Sequence, residues 1–106
     1  MDKQILREAL GSFLSADRIL DNDPWREIYA RDGSYFDIPP LCVVRPRTAD
    51  EVRSLLLTAR RPGVGVTFRA GGTSLSGQSV NSGIICELRT DWRRSEVRDG
   101  GKRIWF

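Results

Sequence analysis

Residues 69–79 read Arg69-Ala70-Gly71-Gly72-Thr73-Ser74-Leu75-Ser76-Gly77-Gln78-Ser79, and this stretch decides how the rest of the chain is interpreted. It holds three glycines, four hydroxyl side chains and one arginine. Small side chains leave backbone N–H groups uncovered, and glycine adopts backbone angles that other residues resist. Because successive exposed N–H groups form a concave site for phosphate oxygens, the stretch predicts a loop that holds a phosphate or pyrophosphate.

Two better-known phosphate motifs do not fit this stretch. Gly72 and Gly77 have the spacing of a P-loop, but Gln78 stands where such a loop has the lysine that reaches the terminal phosphates. The dinucleotide fingerprint G-x-G-x-x-G is also absent, since Gly63-Val64-Gly65 supplies only its first half and precedes the predicted strand. These departures argue against an NTPase. Taken alone, the stretch fits an ordinary surface loop equally well.

The flanking sequence predicts a strand–helix–strand unit, parallel and with a right-handed crossover, that feeds into the loop. Apolar runs at residues 41–46, 64–68 and 84–88 are typical of short buried strands. Between the first two, Thr48 and Glu51 predict a capping box at a helix start, and Pro62-Gly63 predicts the helix end. One apolar stripe of that helix is predicted at Val52, Leu55, Leu56 and Ala59.

The order of these motifs resembles the FAD-binding domain of the vanillyl-alcohol oxidase / p-cresol methylhydroxylase (PCMH) type. The resemblance begins near Tyr29 and runs to the C-terminus. Within that superfamily the chain looks closest to FAD-linked D-2-hydroxyacid dehydrogenases, the group of D-lactate dehydrogenase and the glycolate oxidase D-subunit. The matching pieces are Asp32-Gly33-Ser34-Tyr35-Phe36-Asp37, Val43-Val44-Arg45-Pro46, Thr48-Ala49-Asp50-Glu51-Val52, Arg69-Ala70-Gly71-Gly72-Thr73-Ser74, Gly77-Gln78 and Gly83-Ile84-Ile85.

The resemblance implies a set of cofactor-binding residues in residues 69–79, the glycine loop. The backbone of residues 70–74 would meet the FAD pyrophosphate, and Arg69 would either pair with a phosphate or brace the loop against an acidic neighbour. Family loops often have glycine where this chain has Ala70, and some relatives attach the flavin through a histidine where it has Thr73. The chain contains no histidine, so FAD is expected to be bound non-covalently. The implied set is Arg69, Ala70, Gly71, Gly72, Thr73, Ser74, Gly77, Gln78 and Ser79.

The resemblance also implies a reaction that this chain alone does not complete. The parent enzyme would oxidise a D-2-hydroxy acid by hydride transfer to FAD, and some relatives are fused to an iron–sulfur oxidoreductase. No residue here is a convincing catalytic base, since histidine is absent and no carboxylate lies in a recognisable site. Catalytic groups, the parts that bind the small 2-hydroxy acid, and any cluster ligands are expected beyond Phe106. Other enzymes on the same domain, such as a UDP-N-acetylenolpyruvoylglucosamine reductase or a sugar oxidase, stay open as alternatives.

The size and composition of the chain set further limits. A chain of 106 residues forms one small domain at most, so we expect the N-terminal part of a longer protein. The predicted fold class is α/β (α+β): an N-terminal helical segment at residues 1–28, then an incomplete N-terminal lobe of the FAD-binding domain at residues 29–106. No apolar run is long enough to span a membrane and no secretory leader is present, so the expected location is cytoplasmic, or peripheral to a membrane through other parts. Cys42 and Cys86 are expected to be buried free thiols, and a metal site within the chain is not expected.

The net charge of +3 raises a rival interpretation, a small nucleic-acid-binding module. Basic residues interleaved with Trp92 and Trp105 are typical of single-strand binding, and they cluster near the C-terminus. We favour a solvated face, or a face that meets the rest of the domain, over nucleic-acid binding, because acidic residues interrupt the cluster and no known nucleic-acid motif is present. The basic residues are Arg89, Arg93, Arg94, Arg98, Lys102 and Arg103.

The two ends of the chain carry simpler patterns. Asp2 is predicted to cap an amphipathic helix with an apolar face from Ile5 to Leu14. A second helix is predicted to start at Asp23-Pro24, with Asp23 as its cap, and its Trp25, Ile28 and Tyr29 are expected to face the core. Both helices are expected to pack outside the strand–helix–strand unit. Near the C-terminus, Asp99-Gly100 predicts the turn of a β-hairpin.

Overall fold

A computed structural model describes residues 2–106 and shows a mixed α/β domain, which confirms the predicted fold class. The helices are α1 (Lys3–Leu10), α2 (Asp23–Ile28) and α3 (Ala49–Arg60), with short 3₁₀ turns at Ala16–Arg18 and Asp99–Gly101. The strands are β1 (Ile19–Leu20), β2 (Cys42–Val44), β3 (Val66–Arg69), β4 (Ile84–Glu87), β5 (Glu96–Arg98) and β6 (Arg103–Trp105).

The central sheet has four strands in the order β1-β2-β4-β3. Strands β2, β4 and β3 are parallel, and β1 runs antiparallel along the edge of β2. The strand–helix–strand unit therefore forms as predicted, but β4 inserts between its two strands and pairs with both. Every residue of β2 and β4 is buried, as expected for central parallel strands with both faces covered.

Both faces of the sheet carry packed side chains. The larger cluster joins α1, α3 and one face of the sheet, and Leu10, Leu55 and Ile84 are fully buried in it. On the opposite face, Trp25 and Tyr29 pack against Leu20, Val43 and Ile85. Helix α1 thus covers one face of the sheet, and the segment of α2 with Trp25 and Tyr29 covers the opposite face.

Four details of the helices correct the sequence prediction. Helix α1 ends at Leu10, and Ile5 is exposed, as is Ile28 on α2. Helix α2 is capped by Asn22, whose side chain accepts from Trp25 N at 3.2 Å, because Asp23 already lies within its first turn.

The start of α3 differs slightly from a standard capping box. Thr48 accepts from Glu51 N at 3.1 Å as predicted, but the Glu51 carboxylate accepts from Arg47 N, also at 3.1 Å, instead of from the capping residue itself. Leu55 and Ala59 face the core, whereas Leu56 points outward and is 44% exposed. The apolar stripe of α3 is therefore narrower than predicted.

Gly83 allows β3 and β4 to begin side by side. A Cβ atom on Gly83 would lie 2.3 Å from the carbonyl oxygen of Gly65. That same carbonyl accepts from Ile84 N at 2.9 Å. Position 83 therefore requires glycine, because β4 begins directly against the backbone of residue 65.

The C-terminal hairpin forms as predicted, with β5 and β6 antiparallel and Val97 opposite Ile104. Asp99, Gly100 and Gly101 all have positive φ, of 54°, 64° and 95°, which explains the Asp-Gly pair in the turn. All residues of both strands are exposed.

The two cysteines are free and buried, as predicted. Burial raises the pKa of each thiol to about 12, so both stay protonated at neutral pH. Among residues 2–106 no helix combines the length and apolar character that a membrane span requires.

Candidate functional site

The glycine loop lies at the carboxyl ends of the parallel strands. Arg45 follows β2, Arg69 ends β3 and leads into the loop, and Glu87 ends β4. Open α/β sheets bind their ligands at this edge. A cleft of about 520 Å³ opens here, and it is lined by Ile28, Tyr29, Arg45, Arg69, Ala70, Gly71, Glu87, Arg89, Thr90 and Arg93.

The first half of the loop presents its backbone as an anion site would require. Within residues 2–106, no acceptor takes a hydrogen bond from the backbone N–H groups of residues 70–74. Gly72 has φ +68° and Gly77 has φ +75°, whereas Ala70 does not have positive φ. Alanine therefore replaces the usual family glycine at a position that needs no special backbone angle.

Several hydroxyl groups of the loop serve its own structure. Ser74 Oγ accepts from the backbone N–H groups of Ser76 and Gln78, at 3.3 and 3.2 Å, and lies 3.2 Å from the side-chain oxygen of Gln78. Ser79 is buried, and its hydroxyl donates to Asp32 at 3.1 Å. Thr73 lies within residues 70–74 and is exposed, so its hydroxyl is left for a ligand.

Arg69 braces the loop, but not against an acidic neighbour. Its Nη1 donates to the carbonyl oxygens of Tyr29 and Ser79, each at 3.3 Å, and its guanidinium lies 4.9 Å from the centre of the Tyr29 ring. A Cβ atom on Gly72 would lie 2.3 Å from Arg69 Nη2. The side chain thus passes directly beside the loop backbone, and a Cβ atom at position 72 would require it to shift.

A buried ion pair forms another wall of the cleft. Glu87 has a side chain that is only 3% exposed, and it accepts from Arg45 Nε at 2.8 Å and from the hydroxyl of Thr90 at 2.8 Å. Arg45 also donates to the Tyr29 hydroxyl at 3.1 Å and stacks on Trp25, 5.1 Å from the ring centre. Since the Glu87 carboxylate is fully engaged, it acts here as a structural counter-charge.

The charge of the cleft favours an anionic ligand. Four arginines line it against the single carboxylate of Glu87. The basic cluster of the sequence divides between two places: Arg89 and Arg93 lie in the cleft, whereas Arg98 and Arg103 pair with Glu96 and Asp99 on the hairpin. The cluster therefore does not form one continuous basic strip.

Sequence reasoning did not assign Asp32 to the site. Its Oδ1 accepts from Ser34 N at 2.8 Å, and its Oδ2 accepts from Ser79 N at 3.4 Å and from the Ser79 hydroxyl at 3.1 Å. The Ser34 hydroxyl also donates to this carboxylate, and these donors hold the pKa of Asp32 below its usual range. The Asp-Gly-Ser sequence signals the local turn, but nothing in it signals the contact with Ser79, 47 residues later.

Across the described residues 2–106, no group of three or more His, Cys, Asp or Glu side chains is arranged to hold a metal ion. The donor set of the cleft is instead made of backbone N–H groups, guanidinium groups and hydroxyls. These are donors suited to phosphate oxygens. The glycine loop and its cleft therefore fit a ligand that carries phosphate or pyrophosphate oxygens.

Solved structures similar to this chain share its fold at low sequence identity. Wild-type BBE-like 1 from Physcomitrella patens superposes with a TM-score of 0.76 at 18% identity, over 93% of this chain and 22% of that one. An alkyldihydroxyacetonephosphate synthase gives 0.73 at 19% identity, over 93% and 20% of the two chains. BBE-like #28 from Arabidopsis thaliana gives 0.63 at 18% identity, over 91% and 21%. The chain thus spans about a fifth of the length of these structures.

Sequence comparison defines the family. No curated protein matches the chain. A family model described as an FAD binding domain matches residues 40–106, which is more than half of the chain and includes the glycine loop. The chain therefore belongs to this FAD-binding domain family, of the PCMH type that the motif order indicated.

Proposed function

We propose that this chain holds the pyrophosphate of FAD, non-covalently, as one part of a flavin-dependent oxidoreductase. The observation that carries the proposal is the row of unpaired backbone N–H groups at residues 70–74, at the carboxyl end of β3 and beside a cleft lined by arginines. Fixed N–H donors in a concave loop stabilise phosphate oxygens without a dedicated lysine.

Some groups of the loop would contact the phosphates, and others would maintain the conformation of the loop. The N–H groups of residues 70–74 and the Thr73 hydroxyl would contact the phosphates. Gly72 and Gly77 supply the positive φ angles of the loop. Ser74, Gln78 and Ser79 would act from within the loop through the hydrogen bonds that they already make, and Arg69 supports it from the side.

For the parent reaction we propose oxidation of a D-2-hydroxy acid, with the redox chemistry supplied by FAD when it is bound. This finer assignment rests on the motif resemblance. The remainder of the polypeptide would complete the flavin site and hold the substrate, because this chain spans about a fifth of the structures that share its fold. The proposed D-2-hydroxy acid substrate predicts that the purified product of the whole source gene reduces a dye acceptor with D-lactate or another D-2-hydroxy acid. Activity confined to L-hydroxy acids or to sugars would refute it.

Recognition of the pyrophosphate is testable on this chain with a charge placed in the loop. Gly71 suits the test because an added Cβ would meet nothing closer than Thr73 Cγ2 at 3.7 Å, and its φ is not positive. We expect Gly71→Asp to abolish binding of FAD and ADP through charge repulsion, whereas the isosteric Gly71→Asn retains it. Broadening of the ³¹P resonances of each nucleotide reports binding even when it is weak.

Three ligands separate phosphate recognition from general flavin binding. FAD and ADP carry the pyrophosphate, and riboflavin does not. We expect weak binding of FAD and ADP by the 106-residue chain, since only part of the site is present, and weaker binding still of riboflavin. Equal binding of riboflavin and FAD by intrinsic fluorescence, or unchanged ADP binding by Gly71→Asp, would overturn the proposal.

A further inference from the structure

We propose that Asp32 is a positioning residue for the cofactor site: together with Arg69 it clamps the two ends of the glycine loop through Ser79. This inference rests on the proposed function, because it assigns the clamp the task of holding the loop in its anion-binding shape before a ligand arrives. Asp32 lies before residues 40–106, the part of the chain that matches the family.

Ser79 is the residue that contacts both Asp32 and Arg69. It is 8% exposed, and all of its polar groups are engaged. Its N–H and hydroxyl donate to Asp32 Oδ2, at 3.4 and 3.1 Å, and its carbonyl oxygen accepts from Arg69 Nη1 at 3.3 Å. The loop begins at Arg69 and ends at Ser79. The Arg69 guanidinium therefore joins the two ends of the loop, and the Asp32 carboxylate holds the end at Ser79.

The segment that carries Asp32 also packs closely along the loop. A Cβ atom on Gly33 would lie 2.9 Å from the carbonyl oxygen of Thr73 and 3.0 Å from that of Ser74. A Cβ atom on Gly77 would lie 2.6 Å from the ring of Phe36. The segment therefore approaches the loop backbone both in its first half and at its far end, and contact is maintained on either side of the exposed tip at Leu75.

These contacts explain how a glycine-rich loop keeps one shape. Glycine has more conformational freedom than any other residue, so an untied loop with three glycines would lose much entropy on binding a ligand. Tying both ends reduces that loss in advance, and a pre-ordered loop binds more tightly than a free one with the same contacts. The clamp contributes to affinity although neither Asp32 nor Ser79 offers a group to the ligand.

The test is Asp32→Asn in the whole 106-residue chain, with Asp37→Asn as the matched control. Both variants remove one carboxylate from the same segment, but Asp37 forms only an exposed pair with Arg31. Asp32→Asn leaves only one acceptor oxygen where the carboxylate uses one oxygen for Ser34 N and the other for Ser79 N, so one of these contacts is lost. We expect amide hydrogen exchange at Ser76 and Gln78, whose N–H groups donate to Ser74 Oγ within the loop, to accelerate roughly tenfold and ADP binding to weaken by a similar factor. Asp37→Asn should change neither.

A second variant separates positioning from a general effect on stability. If the clamp acts through Ser79, Ser79→Ala should also accelerate amide exchange at Ser76 and Gln78, and combining it with Asp32→Asn should add little. Unchanged loop exchange in Asp32→Asn would overturn the inference, as would equal acceleration in the loop and in strands β2 and β4. Loop exchange is measured without ligand, so a wild-type chain that bound no ADP would refute the proposed function separately.

Discussion

Gly71 and Gly72 are adjacent in the loop but are subject to different constraints. Gly72 combines φ +68° with a position where an added Cβ would lie 2.3 Å from Arg69 Nη2. Gly71 has neither restriction, since its nearest neighbour would be 3.7 Å away. The sequence motif presents the two glycines as equivalent, and only the backbone angle and the path of the Arg69 side chain distinguish them.

At this scale we predict that Gly72→Ala destabilises the chain by about 1–3 kcal/mol, the usual cost of a residue held in an unfavourable backbone region. Gly71→Ala should change the free energy of unfolding by no more than about 0.5 kcal/mol. Urea unfolding followed by tryptophan fluorescence measures both. Equal losses for the two variants would show that neither the positive φ nor the Arg69 side chain constrains position 72.

Helix α3 forms where it was predicted, but its buried face differs from the predicted one. Its start at Thr48 and its end before Pro62 follow local rules of capping and of proline, which the sequence contains in full. The choice between Leu55 and Leu56 depends on how the helix rotates against the sheet. Leu55 is fully buried in the cluster with Leu10 and Ile84, whereas Leu56 and Leu57 are about half exposed.

For this element we predict that Leu55→Ala lowers the free energy of unfolding by about 2–5 kcal/mol, the range for a buried leucine that leaves a cavity. Leu57→Ala, two residues along the same helix and 52% exposed, should cost less than about 1 kcal/mol. Thermal denaturation by circular dichroism compares the two variants. A larger loss for Leu57→Ala would mean that α3 presents a different face to the sheet.

The whole molecule is more extended than a typical domain of its size. Its radius of gyration is 15.0 Å, against about 13 Å expected for a compact chain of this length. The hairpin β5–β6 forms a sheet of its own, separate from the four-stranded sheet. Consequently the arginines near the C-terminus fall into two groups, one in the cleft and one on the hairpin.

At the scale of the whole molecule this division predicts that position, not net charge, governs anion binding. Arg93→Gln removes a cation from the cleft, whereas Arg103→Gln removes one that pairs with Asp99 on the exposed hairpin. We expect Arg93→Gln to weaken ADP binding several-fold at low salt, with a smaller effect as salt is added, because a partly exposed charge is screened. Titrations of both variants at two salt concentrations test this, and equal weakening would indicate a non-specific attraction.

The sequence by itself determined the parts of this protein that depend on local rules. The three central strands, the capped helix α3, the Asp-Gly hairpin turn and the glycine loop each follow from residues close together in the chain, and the order of the motifs placed the chain in its family. The tertiary structure alone decided the insertion of β4 between β2 and β3 and the role of Arg69 as a brace. It also decided the contact of Asp32 with Ser79. These features join residues from 10 to 47 positions apart, and their partners are fixed by packing around the sheet, which no local pattern encodes.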